Sequence, residues 1–124
     1  MSGNSIFLDT NIVLYLVNGD HTIAELIDRK TIFISFISEL ELLGYKEISQ
    51  PETTQIEQFL SDVTVIDINS EIKRITIELR KSYRIRLPDA IIAASSHHLS
   101  VPLLTADKNL SKLTELNILL YENM

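Results

Sequence analysis

An α/β domain, built as a three-layer sandwich around a mainly parallel central sheet, is the architecture this chain encodes. Short apolar runs of strand length, such as Ile6-Phe7-Leu8 and Thr31-Ile32-Phe33-Ile34-Ser35, alternate with longer segments of helical period. Strands separated by helices imply right-handed crossovers, which cover a parallel sheet on both faces. Glycine and proline, three of each, act as local punctuation, and no linker, repeat or low-complexity tract interrupts the chain. At 124 residues the chain fits one domain over 1–124, since domains cluster at about 100–150 residues.

In order, Ile6 to Leu8 reads as a strand, and Asn11 to Val17 and Thr22 to Asp28 as helices broken apart at Gly19. Thr31 to Ser35 is the second strand. Ser38 opens a helix to about Ile48, Pro51 to Asp62 forms another, and Val63 to Asp67 is a third strand. Ser70 to Tyr83 and Pro88 to His98 are the long C-terminal helices. Val101 to Thr105, a short helix from Asn109 to Leu113, and a last strand from Ile118 to Tyr121 complete the series.

Hydrophobic residues make up 45% and the mean hydropathy is +0.14 despite a net charge of -6, so some apolar surface is expected to be covered by a partner, as in an oligomer. Cysteine is absent, which removes disulfides and thiolate metal sites and is compatible with a reducing cytoplasm. The apolar opening from Ile6 to Val17 carries Asp9 and Asn11 without a basic leader, so neither a signal peptide nor a membrane span is expected. Net acidity argues at first against nucleic acid as a partner, because that binding rests on Lys and Arg contacts to phosphate. Yet six of the eleven basic residues, Lys73, Arg74, Arg80, Lys81, Arg84 and Arg86, fall between positions 73 and 86. Such a run is either a solvated helix face or a phosphate-tracking patch.

The chemistry lies in three aspartates at element junctions: Asp9 after the first strand, Asp89 in Leu87-Pro88-Asp89-Ala90, and Asp107 in Leu104-Thr105-Ala106-Asp107. Singly, each has an ordinary explanation. Asp9 would cap a helix, Asp89 would favour the positive end of the helix opened by Pro88, and Asp107 would serve a turn. Glu41 fits a capping box in Ser38-Glu39-Leu40-Glu41. In a parallel sheet, however, the first and fourth strands end at the same edge, where open α/β sheets place their ligands. Carboxylates gathered there would oppose one another's ionisation unless cations neutralised them, and hard ions such as Mg²⁺ or Mn²⁺ suit an all-oxygen site. With no cysteine and no histidine pair beside these acids, zinc is not expected. His97 and His98 read as helix-end residues, and Tyr15, Phe36 and Tyr45 as core.

Leu8-Asp9-Thr10-Asn11, the stretch from Ser35 to Gly44 containing Glu39-Leu40-Glu41-Leu42-Leu43-Gly44, Pro88-Asp89-Ala90-Ile91-Ile92-Ala93-Ala94, and Leu104-Thr105-Ala106-Asp107 together resemble the PIN domain. Among PIN domains the pattern is most similar to small single-domain VapC-type toxins, over nearly the whole chain. The resemblance implies a Mg²⁺ or Mn²⁺-dependent ribonuclease with Asp9, Glu41, Asp89 and Asp107 as catalytic and metal-binding acids. Asn11 and Thr105 would give polar support, Asn109 would reach a metal-bound water without adding charge, and on this reading the basic run would bring Arg80, Lys81, Arg84 and Arg86 to RNA. Together with the apolar excess, the resemblance implies a homodimer with an antitoxin protein as partner, and the absence of cysteine and of a leader or span gives a cytoplasmic location as the expectation. With the four site acids neutralised by two divalent ions, 13 acids face 11 bases, leaving only -2. The family pattern is departed from at Asn109, where some relatives carry another acid. Two preformed metal sites, and one site with a second ion recruited by RNA, are both open.

Three rival functions differ in what they require. A receiver-like phosphorylation switch would use Asp67 and Lys108 and wants an acid pair after the first strand, where this chain has Asp9-Thr10-Asn11. A PIN-fold binding module would keep the acids only as caps, and a housekeeping RNA-processing nuclease would keep the chemistry without the toxin role.

Overall fold

The computed structural model describes residues 4–122, so the first three and last two positions of the expected domain lie outside the described residues. Five strands, β1 (Ser5–Leu8), β2 (Thr31–Ser35), β3 (Thr64–Ile66), β4 (Leu103–Thr105) and β5 (Ile118–Leu120), form one sheet in the order β3-β2-β1-β4-β5. All four pairings are parallel, so the sheet is parallel throughout. Six helices surround it: α1 (Thr10–Val17), α2 (His21–Ile27), α3 (Phe36–Leu43), α4 (Gln50–Ser61), α5 (Ser70–Ser82) and α6 (Leu87–Leu99). A 3₁₀ turn over Leu110–Lys112 replaces the short helix expected there.

Strand alternation divides the core into two halves, as successive side chains leave opposite faces of the sheet. Phe7 and Leu103 point into a cluster with Ile72, Ile75 and Leu79 of α5 and Ile91 and Ile92 of α6. Ile6, Leu8, Ile34 and Leu104 point the other way, against Ile12, Val13, Ile23, Leu42 and Ile56 from α1 to α4. The sandwich therefore has three layers.

Most element ends fall within two residues of expectation; α3 does not. It begins directly after β2, with the Ser35 hydroxyl accepting from the Ile37 amide at 3.0 Å, and it stops at Leu43. Ser38 thus lies inside the helix and no Ser38–Glu41 capping box forms. The box the chain does build is Ser49 with Glu52 at the start of α4, where Pro51 is preset for the first turn. Gly44 closes α3 with its amide 2.8 Å from the Leu40 carbonyl. A Cβ there would sit 2.5 Å from that oxygen, so only glycine fits. Because α3 ends early, Tyr45 is not core: it is 59% exposed.

The strand order also removes the receiver-like alternative. Asp67 follows the edge strand β3, exposed and with β2 standing between it and β1, so it cannot share a pocket with Asp9. Among the described residues no helix is long and apolar enough to cross a membrane.

Candidate functional site

The sheet reverses its winding between β1 and β4, which is where a parallel α/β sheet opens a crevice at the carboxyl ends of its strands. Asp9 and Thr105 terminate those two strands side by side, tied by the Asp9 amide donating to the Leu104 carbonyl at 3.0 Å. An open cleft of about 420 Å³ lies at this end, lined by Asp9, Thr10, Asn11, Leu14, Glu41, Arg86, Asp89 and Asp107. All four sequence-predicted acids therefore reach one cleft.

Asp9 is its floor, only 6% exposed. One carboxylate oxygen caps α1 by accepting from the Thr10 amide at 2.8 Å, and the other accepts from the Thr105 hydroxyl at 2.6 Å. The capping role expected for Asp9 is real, and the same residue lines the cleft. Burial pushes its carboxyl pKa up; the Thr105 and Thr10 hydrogen bonds oppose this, and the charges of Asp89 and Asp107 add to it. Those two acids are near enough for their charge to be felt.

Thr105 joins two of the acids. Besides donating to Asp9, its hydroxyl accepts from the Asp107 amide at 3.0 Å. Asp107 in turn accepts from the Asn109 amide at 2.9 Å, forming the turn expected at Ala106-Asp107-Lys108-Asn109. Asn109 lies on the rim, in a smaller cavity of about 120 Å³ with Arg84, Arg86, Asp89 and Asp107. Asn11 lines the main cleft and is exposed.

Glu41 arrives from α3 by a relay that sequence reasoning missed. The Thr10 hydroxyl donates to Glu41 Oε1 at 2.6 Å and lies 2.7 Å from the Ser38 hydroxyl. Since Thr10 has one hydroxyl proton, Ser38 must be the donor to Thr10. Ser38 is buried, so its bond fixes α3 against α1 and aims Glu41 at the cleft. Glu39, two residues away, points about 200° around the helix axis and does not line the cleft. The only signal for Thr10 in the sequence is its place next to Asp9.

Asp89 sits in the first turn of α6, where the helix N-terminus favours a carboxylate, and its Oδ2 accepts from Arg86 Nε at 3.1 Å. That bond, followed by the Asp89 charge itself, holds the Arg86 guanidinium above its ordinary pKa. Of the basic run, Arg84 and Arg86 reach the site, whereas Arg80 and Lys81 are exposed but line neither cavity. Arg74 is spent on Glu71 and Glu78, as a solvated helix face would be. The donor set is all oxygen. As placed, no three acidic or histidine side chains among the described residues close tightly enough around one point to hold an ion.

Next to the cleft runs an apolar groove of about 290 Å³ between α1, α3 and α4, lined by Leu14, Leu42, Tyr45, Ile48 and Ile56 and edged by Glu41 and Glu52.

The family model described as PIN domain matches residues 6–116. Among solved structures, a toxin-antitoxin complex from Klebsiella pneumoniae is 26% identical with a TM-score of 0.81, covering 95% of this chain and 99% of that one. VapBC2 from Rickettsia felis, bound to a DNA fragment from their promoter, is 25% identical with a TM-score of 0.80 and the same coverage. VapBC-1 from nontypeable Haemophilus influenzae, at 24% identity and a TM-score of 0.74 over 94% of this chain and 97% of that one, shares the fold. No curated protein matches the chain in sequence.

Proposed function

The chain belongs to the PIN domain family, and from that premise we propose that it is a Mg²⁺ or Mn²⁺-dependent endoribonuclease serving as the toxin of a toxin-antitoxin pair. The observation that carries this reading is Asp9, a buried carboxylate facing two further acids with a single arginine among them. Clustering like charges costs stability, and a bound divalent cation offsets that cost. Asp9, Glu41, Asp89 and Asp107 line one open cleft, and with their side chains drawn inward from the positions they occupy they would hold the ion, their oxygens suiting a hard cation. When bound, it supplies the positive charge that activates water and stabilises developing charge on phosphate oxygens. The chain's own groups orient the rest: Thr105 and the Thr10 amide fix Asp9, Thr10 and Ser38 fix Glu41, and Arg84 and Arg86 offer donors to an RNA backbone at the rim. The chain has no cysteine and the Thr10 hydroxyl proton is committed to Glu41, which fits attack by water.

The test is digestion of mixed RNAs by purified protein with and without Mn²⁺. Cleavage should require the metal, stop in excess EDTA, and vanish in Asp89→Asn; full activity in EDTA would overturn the reading. In the same assay Glu41→Gln should lose at least about 10-fold in cleavage while Glu39→Gln stays near wild type. The reverse ranking would show that the wrong glutamate has been assigned.

An antitoxin partner is proposed because the Klebsiella pneumoniae structure is a toxin-antitoxin complex and because the apolar groove opens beside the acids. A basic side chain of such a partner could enter the cleft, since an arginine fork matches a carboxylate. A homodimer is proposed from the apolar excess of the sequence, with Leu40, Ile77 and Leu87 among the exposed apolar side chains. Light scattering should show a dimer, and growth arrest on expression should be absent in Asp89→Asn.

A further inference from the structure

The one cation lining the acidic cleft among the described residues is Arg86, and its geometry is uneven. Asp89 is held close, its side chain 16% exposed in the first turn of α6, while the Arg86 side chain is 77% exposed. Only Nε is engaged: no hydrogen bond of its two terminal nitrogens is found among the described residues. Arginine–carboxylate pairs are frequently bidentate, and this one is not. The Arg86 backbone is anchored independently, since its carbonyl accepts from the Ala90 amide at 2.9 Å and its side chain caps nothing. The side chain can therefore leave Asp89 without unwinding α6. Arg86 also stands on the ridge between the main cleft and the smaller cavity that holds Arg84 and Asn109.

We propose that Arg86 is a resident counter-ion that alternates between Asp89 and a substrate phosphate, so that filling of the acidic cleft by a divalent cation frees the arginine to grip RNA. This rests on the metal-dependent reading above and adds to it an order of events. In the ion-free protein Arg86 neutralises part of the acidic cluster and competes with cations for Asp89. Once Asp89 turns to a cation, the guanidinium is repelled by it and carries a free fork at the rim, where the RNA backbone would pass. RNA binding is then coupled to metal binding through one side chain. An ordinary i,i+3 surface pair would show no such coupling, because exposed pairs contribute little.

The two roles give opposite signs on one substitution. Full-length wild type, Arg86→Gln, Arg86→Lys and a control, Lys73→Gln, are titrated with Mn²⁺ alone by calorimetry, and then, in saturating Mn²⁺, with a short mixed-sequence 2′-O-methyl RNA that resists cleavage. Arg86→Gln should bind Mn²⁺ about 3- to 10-fold more tightly, because a unit charge beside the site is gone, and the oligonucleotide about 3- to 10-fold more weakly. Arg86→Lys, which keeps the charge and loses the fork, should stay within about twofold of wild type for Mn²⁺ yet remain weaker for RNA. Lys73→Gln should match wild type for Mn²⁺. Unchanged or weaker Mn²⁺ binding in Arg86→Gln, or wild-type RNA affinity, would overturn the proposal while leaving the nuclease reading standing. Wild-type protein that binds no Mn²⁺ would overturn both.

Discussion

Asp9→Asn is expected to lower metal-dependent RNA cleavage by at least about 100-fold while raising the stability of the metal-free protein at neutral pH. The two effects share a cause. The native carboxyl of Asp9 is pushed above its ordinary value of 3.8, first by burial and then by the charges of Asp89 and Asp107. The folded chain therefore holds this proton more tightly than the unfolded chain does. Below 3.8 the group is neutral in both states and has no effect. As pH rises from there through the raised native value, stability is lost, and it stays lost above. Asparagine keeps the shape and one acceptor oxygen for the cap on α1, and removal of the strained charge should outweigh loss of the Thr105 bond, so the variant should melt at a higher temperature than wild type at pH 7 in EDTA. Asp20 and Glu52 work in the other direction, since their depressed pKa values contribute stability that disappears on acidification. The measurement is thus the difference between the wild-type and variant melting curves across pH, in which those groups cancel. A variant less stable than wild type at pH 7 in EDTA would contradict the account of Asp9 as a strained charge.

Much of this was legible because local chemistry and long-range topology agree at the acids. Alternation of strand and helix implied the parallel sheet, and a parallel sheet brings Asp9 and Asp107 to one edge whatever its strand order. The order itself, β3-β2-β1-β4-β5, depends on which strands pair across long crossovers, and no local pattern in the sequence reveals it. The capping box shows the limit of motif matching. Ser38-Glu39-Leu40-Glu41 and Ser49-Gln50-Pro51-Glu52 both fit it, and only the second forms. Pro51 could have marked the true one, since a proline in the first turn fixes where a helix starts. Tyr45 reads as core for a related reason, since it continues the apolar period of α3 past the point where Gly44 ends the helix. Thr10, Ser38 and Arg86 carry their meaning only in three dimensions. Their partners Glu41 and Thr10 lie 31 and 28 residues away in the chain, and Arg86 looked like one more member of a charge run.

Thr105→Val should be the most damaging single change that leaves every acid in place. Valine matches threonine in shape but not in chemistry, and Thr105 is fully buried at 0% exposure. Its hydroxyl serves both the Asp9 carboxylate and the Asp107 amide, so the substitution strands a charged acceptor and a backbone donor together. Unsatisfied buried groups cost about 1–3 kcal/mol each, so the two together set the expected loss at about 2–6 kcal/mol at pH 7, toward the lower end because the Asp107 amide is only part-buried. Cleavage should fall at least about 10-fold, because both acids lose the group that orients them. Thr105→Ser, which restores the hydroxyl, should recover most of both. The Thr105 bond is one of the two that hold the Asp9 carboxyl down, so its removal pushes that pKa higher still, and the penalty should shrink as acid neutralises Asp9. For the same reason Thr105→Val should cost less in an Asp9→Asn background than in wild type, a non-additivity that reports the bond itself. Equal costs in the two backgrounds, measured by urea unfolding in EDTA, would mean that the hydroxyl supports the Asp107 turn alone and that Asp9 is positioned by its strand and its cap.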